Sequence, residues 1–576
     1  MKIEIILTIS LLFGLFSCTE QKSEVPENIY ISWGAHDQLS DSVKLTEELA
    51  NKELDAYLAL REQGVKLDYF LMDMFWFSKH TLYKSFNETW PNGYETFFKK
   101  AKENNVKLGL WLSANVLGWN ENMRWLDYQD TLANGIGNEK LWMAFYDGVW
   151  PAYFNSVLEY WYSEGVTLFK IDFAAFYAVK VGDEGKYSKE QLEEMNKKVF
   201  HKLVADFRKK HPDCKFIAYN GLFDHHSSVK AETDWWLEVF DALFCGDPQP
   251  GLVPGYNFVQ SVTLYSDQMF WTFAKKKVPI SFIDNSQFML SNTGTGNYRG
   301  KQDWKTMLVS TLAKRSMFQT YYGNLELLDS SDAVWMKQAQ QLFYQMDTLL
   351  LIGDYPYQVL PFAYHLKNKR GGLVFAVNPS QQMQKVQLPL DYQGQPAGIL
   401  FSQPGYRNII EGNTVTLAPE QSVLIGFNEY ANEKYSLGTS GEGSFPNESV
   451  NIEIKERKAL NNGVSFQINK PEKGNIRLVF EIKNEDGTMV KANGGPPPYG
   501  KPMGEVLQIK VVSAGKKIPV SINYNKVIWS GLSWAVGEIA EKDLKDAGPV
   551  IDVAFNVADD KFNGIIVESC FNTIYE

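Results

Sequence analysis

Eight short apolar runs, separated by longer stretches of helical periodicity, occupy the sequence from residue 30 to about 350 and limit its fold more than any other feature. They are YISWG (30–34), LDYFLMDMFWF (67–77), VKLGLWLSA (106–114), VTLFKIDFAAF (166–176), KFIAYNG (215–221), DALFCGD (241–247), VPISFID (278–284) and MFQTYYG (317–323). Between them lie amphipathic stretches such as ETFFKKAKENN, PAYFNSVLEYWYSEG and SKEQLEEMNKKVFHKLVADFRKKH. Each run is almost continuously apolar, as parallel strands covered on both faces are. Such segments joined by helical connections over roughly 300 residues fit a (β/α)8 TIM barrel with loop insertions. An open doubly wound sheet would use the same alternation, but no G-x-G-x-x-G turn follows the first run.

Near Tyr355 helical periodicity gives way to alternation and turns, in YQVLPFAYHL, GGLVFAVNPS, KVQLPL, AGILFS, NTVTLAP and SVLIGF. This pattern predicts an antiparallel β-sandwich over residues 351–432 after a barrel over 29–350. The Gly/Ser/Glu-rich link SLGTSGEGSFPNES (436–449) follows, then a second all-β module over 445–576 with the breaker cluster GGPPPYGKP. The 57 basic and 68 acidic residues leave a net charge of −11, which disfavours nucleic acid as a partner. Four cysteines, seven histidines and no C-x-x-C or H-E-x-x-H spacing give no basis for a metal site, and no cofactor is expected. The excess lies in the aromatics, 16 Trp, 29 Tyr and 36 Phe, whose faces pack cores and stack on sugar rings.

The first residues predict an address. Lys2 precedes an apolar run, Ile5–Phe16, too short for a membrane span of ~20 residues and suited to a secretory signal. It closes in Leu15-Phe16-Ser17-Cys18, which resembles the lipobox of bacterial lipoproteins. That resemblance implies a signal peptide over 1–18, lipidation of Cys18 and a place in the cell envelope, with membrane contact through the anchor only. An ordinary signal peptide with an incidental cysteine is the alternative. Cys214 and Cys245 fall at opposite ends of neighbouring parallel strands, too far apart to bridge, and are expected as buried thiols.

Charged residues inside a buried strand need a reason. In VTLFKIDFAAF the alternation sets Phe169, Ile171 and Phe173 on one face and Lys170 with Asp172 on the other. The apolar trio belongs against the outer helices, so Lys170 and Asp172 face the barrel axis near the carboxyl end of the strand. Burial of such groups is costly unless they are paired or used, and chemistry sits at this end of a barrel. A structural Lys–Asp pair bracing the barrel is the alternative.

FKIDF resembles the K-x-D signature of the retaining α-galactosidase (melibiase) families and their clan relatives, and the order of surrounding features strengthens the likeness. MDMFW is similar to their acidic pair and Trp after strand two, and KLGLW to their Gly-containing strand three. FCGDPQPG…NFVQS resembles their sixth-strand Asp and following helix, IDNSQFML their seventh strand, and YYGNLELLDSSDAVWMKQAQQLF their eighth strand and next helix. The resemblance covers residues 30–430. It implies that Asp172 is the catalytic nucleophile and Asp247 the general acid/base. It also implies that Lys170 and Asp73 are sugar ligands and Trp76 a nearby aromatic wall. A retaining glycosidase needs two carboxyls roughly 5–5.5 Å apart, one ionised and one protonated. Lys170 is expected to favour the ionised form of Asp172, and an apolar setting would raise Asp247. Asp284, at the end of strand seven, is a candidate sugar ligand and the reserve acid. Asp241 opens strand six at the wrong end of the barrel.

The sequence departs from that family in its sugar ligands. The second strand-two acid falls on Met74, and the fifth-strand element is replaced by Tyr219-Asn220-Gly221, which makes Asn220 a substrate-binding candidate. Trp33, Trp111 and Trp119 fall at or beyond strand ends, where subsite and packing roles stand equal. Trp235-Trp236 reads as helix packing or a lid, His225-His226 as exposed or substrate-contacting, and Trp529 and Trp534 as core. The resulting expectation is an exo-acting retaining glycosidase for α-linked, galactoside-like sugars from oligosaccharides or polysaccharides. Its alternatives are a transglycosylase on the same scaffold and a non-catalytic glycan-binding lipoprotein.

Overall fold

The computed structural model describes residues 26–34, 45–118, 124–127, 141–222, 233–247, 250–256, 258–276, 278–285, 287–290, 301, 303–353, 359–404, 409–440, 445–484, 503–522, 533–558, 562 and 564–575. Cys18, Trp119, His225, His226 and Trp529 lie outside them. Among the described residues, no helix is long and apolar enough to cross a membrane.

The apolar runs form β1 (Glu27–Ile31), β2 (Tyr69–Met72), β3 (Lys107–Ser113), β4 (Val166–Asp172), β5 (Lys215–Ala218), β6 (Ala242–Phe244), β7 (Ile283–Asp284), β8 (Met289–Leu290) and β9 (Phe318–Gly323). All pair in parallel, in the order β7-β6-β5-β4-β3-β2-β1-β9-β8. The two edge strands come from one segment, 283–290, so β7 on β6 and β8 on β9 bring the sheet round on itself. Met317 N–H donates to Ser281 O (2.7 Å) and Thr320 Oγ1 to Asp284 Oδ1 (2.8 Å) across that seam. The seventh predicted run, 278–284, forms a strand only at Ile283–Asp284, and the short β8 follows beyond it; the fold is a (β/α)8-type barrel rather than an open sheet.

The helical connections form where their ends are satisfied and one face is apolar. Lys189–Lys210 starts in a capping box of Ser188 and Gln191, ends in Arg208, Lys209 and Lys210, and buries Leu192, Phe200, Val204 and Phe207. These side chains meet β4 and β5, with Phe207 against Phe169 and Phe216. Asp241, at the amino end of β6, binds Arg208 (2.9 Å) and the Phe216 amide (2.8 Å), and so braces the far side of the barrel. Trp235 stacks on His201, and Trp236 is buried against Phe176 and Phe240, which settles that pair as helix packing.

Two β modules follow. In the first, a six-stranded sheet (Thr348–Gly353, Phe362–Asn368, Gly371–Val377, Ser422–Asn428, Ala397–Ser402, Gly438–Thr439) faces a three-stranded one (Gln384–Gln387, Thr414–Leu417, Ile409–Glu411). Their shared core holds Val374, Val386, Val415, Leu417 and Ile425. The module is fixed to the barrel through Trp335, whose indole donates to Leu437 O (2.7 Å). A fully buried Lys314–Asp267 ion pair (2.7 Å) that also takes the Tyr364 hydroxyl (2.8 Å) adds a second tie. The carboxyl-terminal module packs two five-stranded sheets around Phe466, Phe480, Leu478, Val553 and Phe555. Cys214, Cys245 and Cys570 are buried free thiols.

Candidate active site

The strand registers place the charged residues of β2 to β4 in one layer. Met72 pairs with Leu110, and Trp111 with Lys170, so Asp73 comes level with Trp111 and Lys170 at the carboxyl end of the sheet. Lys170 and Asp172 point into the barrel and are 5% and 4% exposed, as the alternation in β4 requires. The strand ends at Asp172. Phe173 adopts a left-handed backbone (φ 47°), which swings its ring onto Trp111 and Trp125 instead of toward the outer helices.

Asp172 is held from three sides. Trp111 Nε1 donates to its Oδ2 (3.0 Å), and the amides of Phe173 (2.9 Å) and Asn220 (3.0 Å) donate to Oδ1. Asn220 thus meets this carboxyl through its backbone, and its carbonyl accepts from the Ala174 amide (3.1 Å). Gly221 makes that approach possible: its φ is +84°, and a Cβ there would stand 2.3 Å from Ala174 O. Trp111 is fully buried and stacks on Phe77, so it orients Asp172 and presents no open face.

Lys170 bonds to Asp73 rather than to Asp172. The Nζ–Oδ2 distance to Asp73 is 2.7 Å, and the other Asp73 oxygen accepts from the Met74 amide (2.8 Å). The ammonium also lies 4.0 Å from the Tyr219 ring centroid, a cation–π contact in a desolvated setting. Tyr219 stacks on Phe244 (4.1 Å, 10°) and donates to Asp284 Oδ2 (2.7 Å); its hydroxyl also meets that of Tyr322. Burial works against the Lys170 charge, but the carboxylates of Asp73, Asp172 and Asp247 outweigh it and hold its pKa above the usual lysine value.

The same burial acts on Asp172 with the opposite sign and pushes its carboxyl up to about 7. The charge of Lys170 and the Trp111 hydrogen bond pull it down, while the charges of Asp247 and Asp73 add to the rise. The expectation that Lys170 keeps Asp172 well ionised is therefore only half met. The ammonium is spent mainly on Asp73, and desolvation prevails. Asp247 follows β6 and is partly exposed, and its charge reaches Asp172, Lys170 and Tyr322. The two candidate carboxyls thus occupy one electrostatic neighbourhood, one dry and one nearer solvent.

Two sequence expectations need correction. Trp76 is 0% exposed: its ring packs on Trp161 and Phe86, and its indole donates to Trp111 O (2.9 Å). It is a wall behind the site rather than a surface for a sugar. Asp284 is also fully buried, and its two oxygens accept from Tyr219 and Thr320, so it braces the Tyr219 hydroxyl. Trp33 is half-buried after β1, edge-on to Tyr322 (6.4 Å). Tyr219 and Tyr322 join the site without a strong mark in the sequence. Their signal is a Tyr at the carboxyl end of KFIAY and QTYY, and Tyr219 follows the strand that pairs with the charged β4.

No family model and no curated protein matches this chain. Solved structures similar to it include a candidate α-galactosidase of Bacteroides fragilis NCTC 9343, 14% identical with a TM-score of 0.46 over 70% of this chain and 80% of that one. A trehalose-6-phosphate hydrolase of Bacillus licheniformis is 11% identical (TM-score 0.47; 70% and 99% covered). An isomaltulose synthase of Protaminobacter rubrum is also 11% identical (TM-score 0.46; 70% and 98% covered). At these values the likeness assigns neither a sugar nor an activity to this chain.

The raised Asp172 carboxyl carries a stability consequence. A carboxyl whose folded pKa lies above its unfolded value favours the fold at low pH and loses that contribution as pH rises through the folded value, here about 7. The full shift corresponds to an upper bound of about 4 kcal/mol. Asp172→Asn should therefore raise the melting temperature of the barrel transition, by more at pH 8 than at pH 5. Calorimetry at the two pH values checks this, and an equal or negative change at pH 8 would contradict the assigned burial cost.

Proposed function

We propose that this protein is an exo-acting retaining glycoside hydrolase that cleaves α-linked sugars through a covalent glycosyl-enzyme intermediate. The reading rests chiefly on the setting of Asp172. This carboxyl is buried at the carboxyl end of β4, aimed by Trp111 and two amides, and set beside a Lys170–Asp73 pair with Asp247 in electrostatic reach. A purely structural aspartate needs no such aiming at the barrel mouth.

In this mechanism Asp172 attacks the anomeric carbon as a carboxylate while Asp247 protonates the departing oxygen. Asp247, the more exposed of the two, then deprotonates an incoming water, and the configuration is retained over two displacements. Trp111, Phe173 N–H and Asn220 N–H fix the direction of attack before substrate arrives. Lys170 and Asp73 offer a donor and an acceptor to the sugar hydroxyls. An acceptor sugar in place of water would give transfer by the same intermediate. The acidic sugar ligand replaced by Met74 favours a sugar other than simple galactose, within the α-linked class.

The two carboxyls should separate in kinetics on aryl α-glycosides (galactoside, glucoside, N-acetylgalactosaminide and β-L-arabinopyranoside). Asp172→Gly is expected to lose at least about 10³-fold in turnover, ~4 kcal/mol of barrier, with azide restoring rate as a β-glycosyl azide. Asp247→Gly should keep its first step on activated leaving groups and give the α-azide. Equal, unrescued losses in both variants would sink the assignment. Because the nucleophile must be ionised, kcat/KM should fall on the acid side with an apparent pKa near 7, the value burial imposes on Asp172. A limb near 4 would contradict the buried, part-protonated carboxyl.

We also infer that Cys18 carries a lipid anchor to the cell envelope, from the short apolar run and Leu15–Cys18. Cys18→Ala should move the protein from the membrane to the soluble fraction with catalysis intact, and unchanged membrane association would overturn the anchor.

A further inference from the structure

The segment that carries Asp247 leaves the barrel between two fixed points. Upstream, the Cys245 amide donates to Asp284 O (2.9 Å), and Gly246 turns the chain at φ +116°. Downstream, residues 250–256 are gripped by both β modules. Gly251 O accepts from the Ser533 amide (2.9 Å), Pro254 O from Gln381 Nε2 (2.7 Å), and the Tyr256 amide donates to Glu420 Oε1. The Tyr256 ring lies under the Arg477 guanidinium, 4.6 Å from its centroid, and packs on the cluster of Val479, Val536 and Phe571.

Arg477 is 1% exposed and ties three parts of the molecule together. Its Nη1 donates to Gln381 Oε1 (2.6 Å) and Glu420 Oε2 (3.4 Å) in the first β module. Its Nη2 donates to Glu538 Oε2 (3.0 Å) and the Tyr575 hydroxyl (2.5 Å) in the second. Apolar side chains would hold two modules together at less cost, because a buried ion pair pays heavily for desolvation. A rigid, five-donor fork fixes orientation as well as contact. Here the fork is centred on the chain segment that leads away from Asp247.

We infer that the carboxyl-terminal module is part of the active-site scaffold, and that Arg477 and Tyr256 form a positioning pair for Asp247. This rests on Asp247 being the acid/base proposed above. A general acid must stay within hydrogen-bond reach of the departing oxygen. Only five residues, 246–250, separate Cys245 from Gly251, so fixing both ends limits where Asp247 can go. Neither Arg477 nor Tyr256 need touch substrate.

Leaving-group dependence tests this, because misplacing an acid harms only reactions that need protonation. kcat/KM is measured for 2,4-dinitrophenyl and phenyl α-glycosides of the sugar that the wild type turns over best, for wild type, Asp247→Gly, Tyr256→Ala, Tyr256→Phe and Arg477→Lys. Tyr256→Ala and Arg477→Lys should lose about 10- to 100-fold on the phenyl glycoside, the scale of an ångström-level misplacement, and less than about 3-fold on the activated one. Tyr256→Phe, which keeps the ring, should follow the wild type. If Arg477→Lys does not fold, Tyr256→Ala decides. Equal losses on both substrates, or none on either, would overturn the positioning role. If Asp247→Gly itself has no leaving-group dependence, the acid/base reading fails and the inference falls with it.

Discussion

The Lys170–Asp73 ion pair at the barrel mouth is the interaction on which the rest of the site depends. It joins β4 to the residue after β2, and it sets a cation over Tyr219, which in turn stands on Asp284 and Phe244. A charged pair this dry needs compensation on every side, and the barrel supplies carboxylates and an aromatic face around it. Asp172 then sits next to a positive charge that is already committed elsewhere. Burial therefore prevails over that charge and raises its carboxyl to about 7.

That arrangement gives the two carboxyls different settings, which the sequence does not reveal. Asp172 owes its raised pKa to burial and its direction to Trp111 and two backbone amides. Asp247 sits nearer solvent on a segment whose far end is held by the β modules. Precision in the first comes from the barrel itself. In the second it comes from chain far away in sequence, which gives residues beyond 440 a physical reason to be attached.

Much of the fold is legible in the sequence because its signals are local. Apolar runs alternating with helical periodicity fix a barrel, and two-residue alternation turns Lys170 and Asp172 inward. What escapes is decided by distant partners. Trp76 reads as an open aromatic until the helix carrying Trp161 covers it. Asp284 reads as a ligand at a strand end until Tyr219 and Thr320 claim both oxygens. Phe173 breaks alternation because the chain turns left-handed there, which no propensity of Phe would suggest. The seventh run keeps only two strand residues, and β8 after it goes unpredicted, because the segment pairs with β6 at its start and β9 at its end.

The central claim is that Asp172 forms the covalent bond to the sugar. Incubating the protein with a fluorinated glycosyl fluoride that forms the intermediate quickly and releases it slowly, then mapping the labelled peptide by mass spectrometry, tests that bond directly. A stoichiometric glycosyl adduct on Asp172, absent in Asp172→Asn, is the predicted result. An adduct on Asp247 or Asp284, or turnover with inverted product and no adduct, would contradict it.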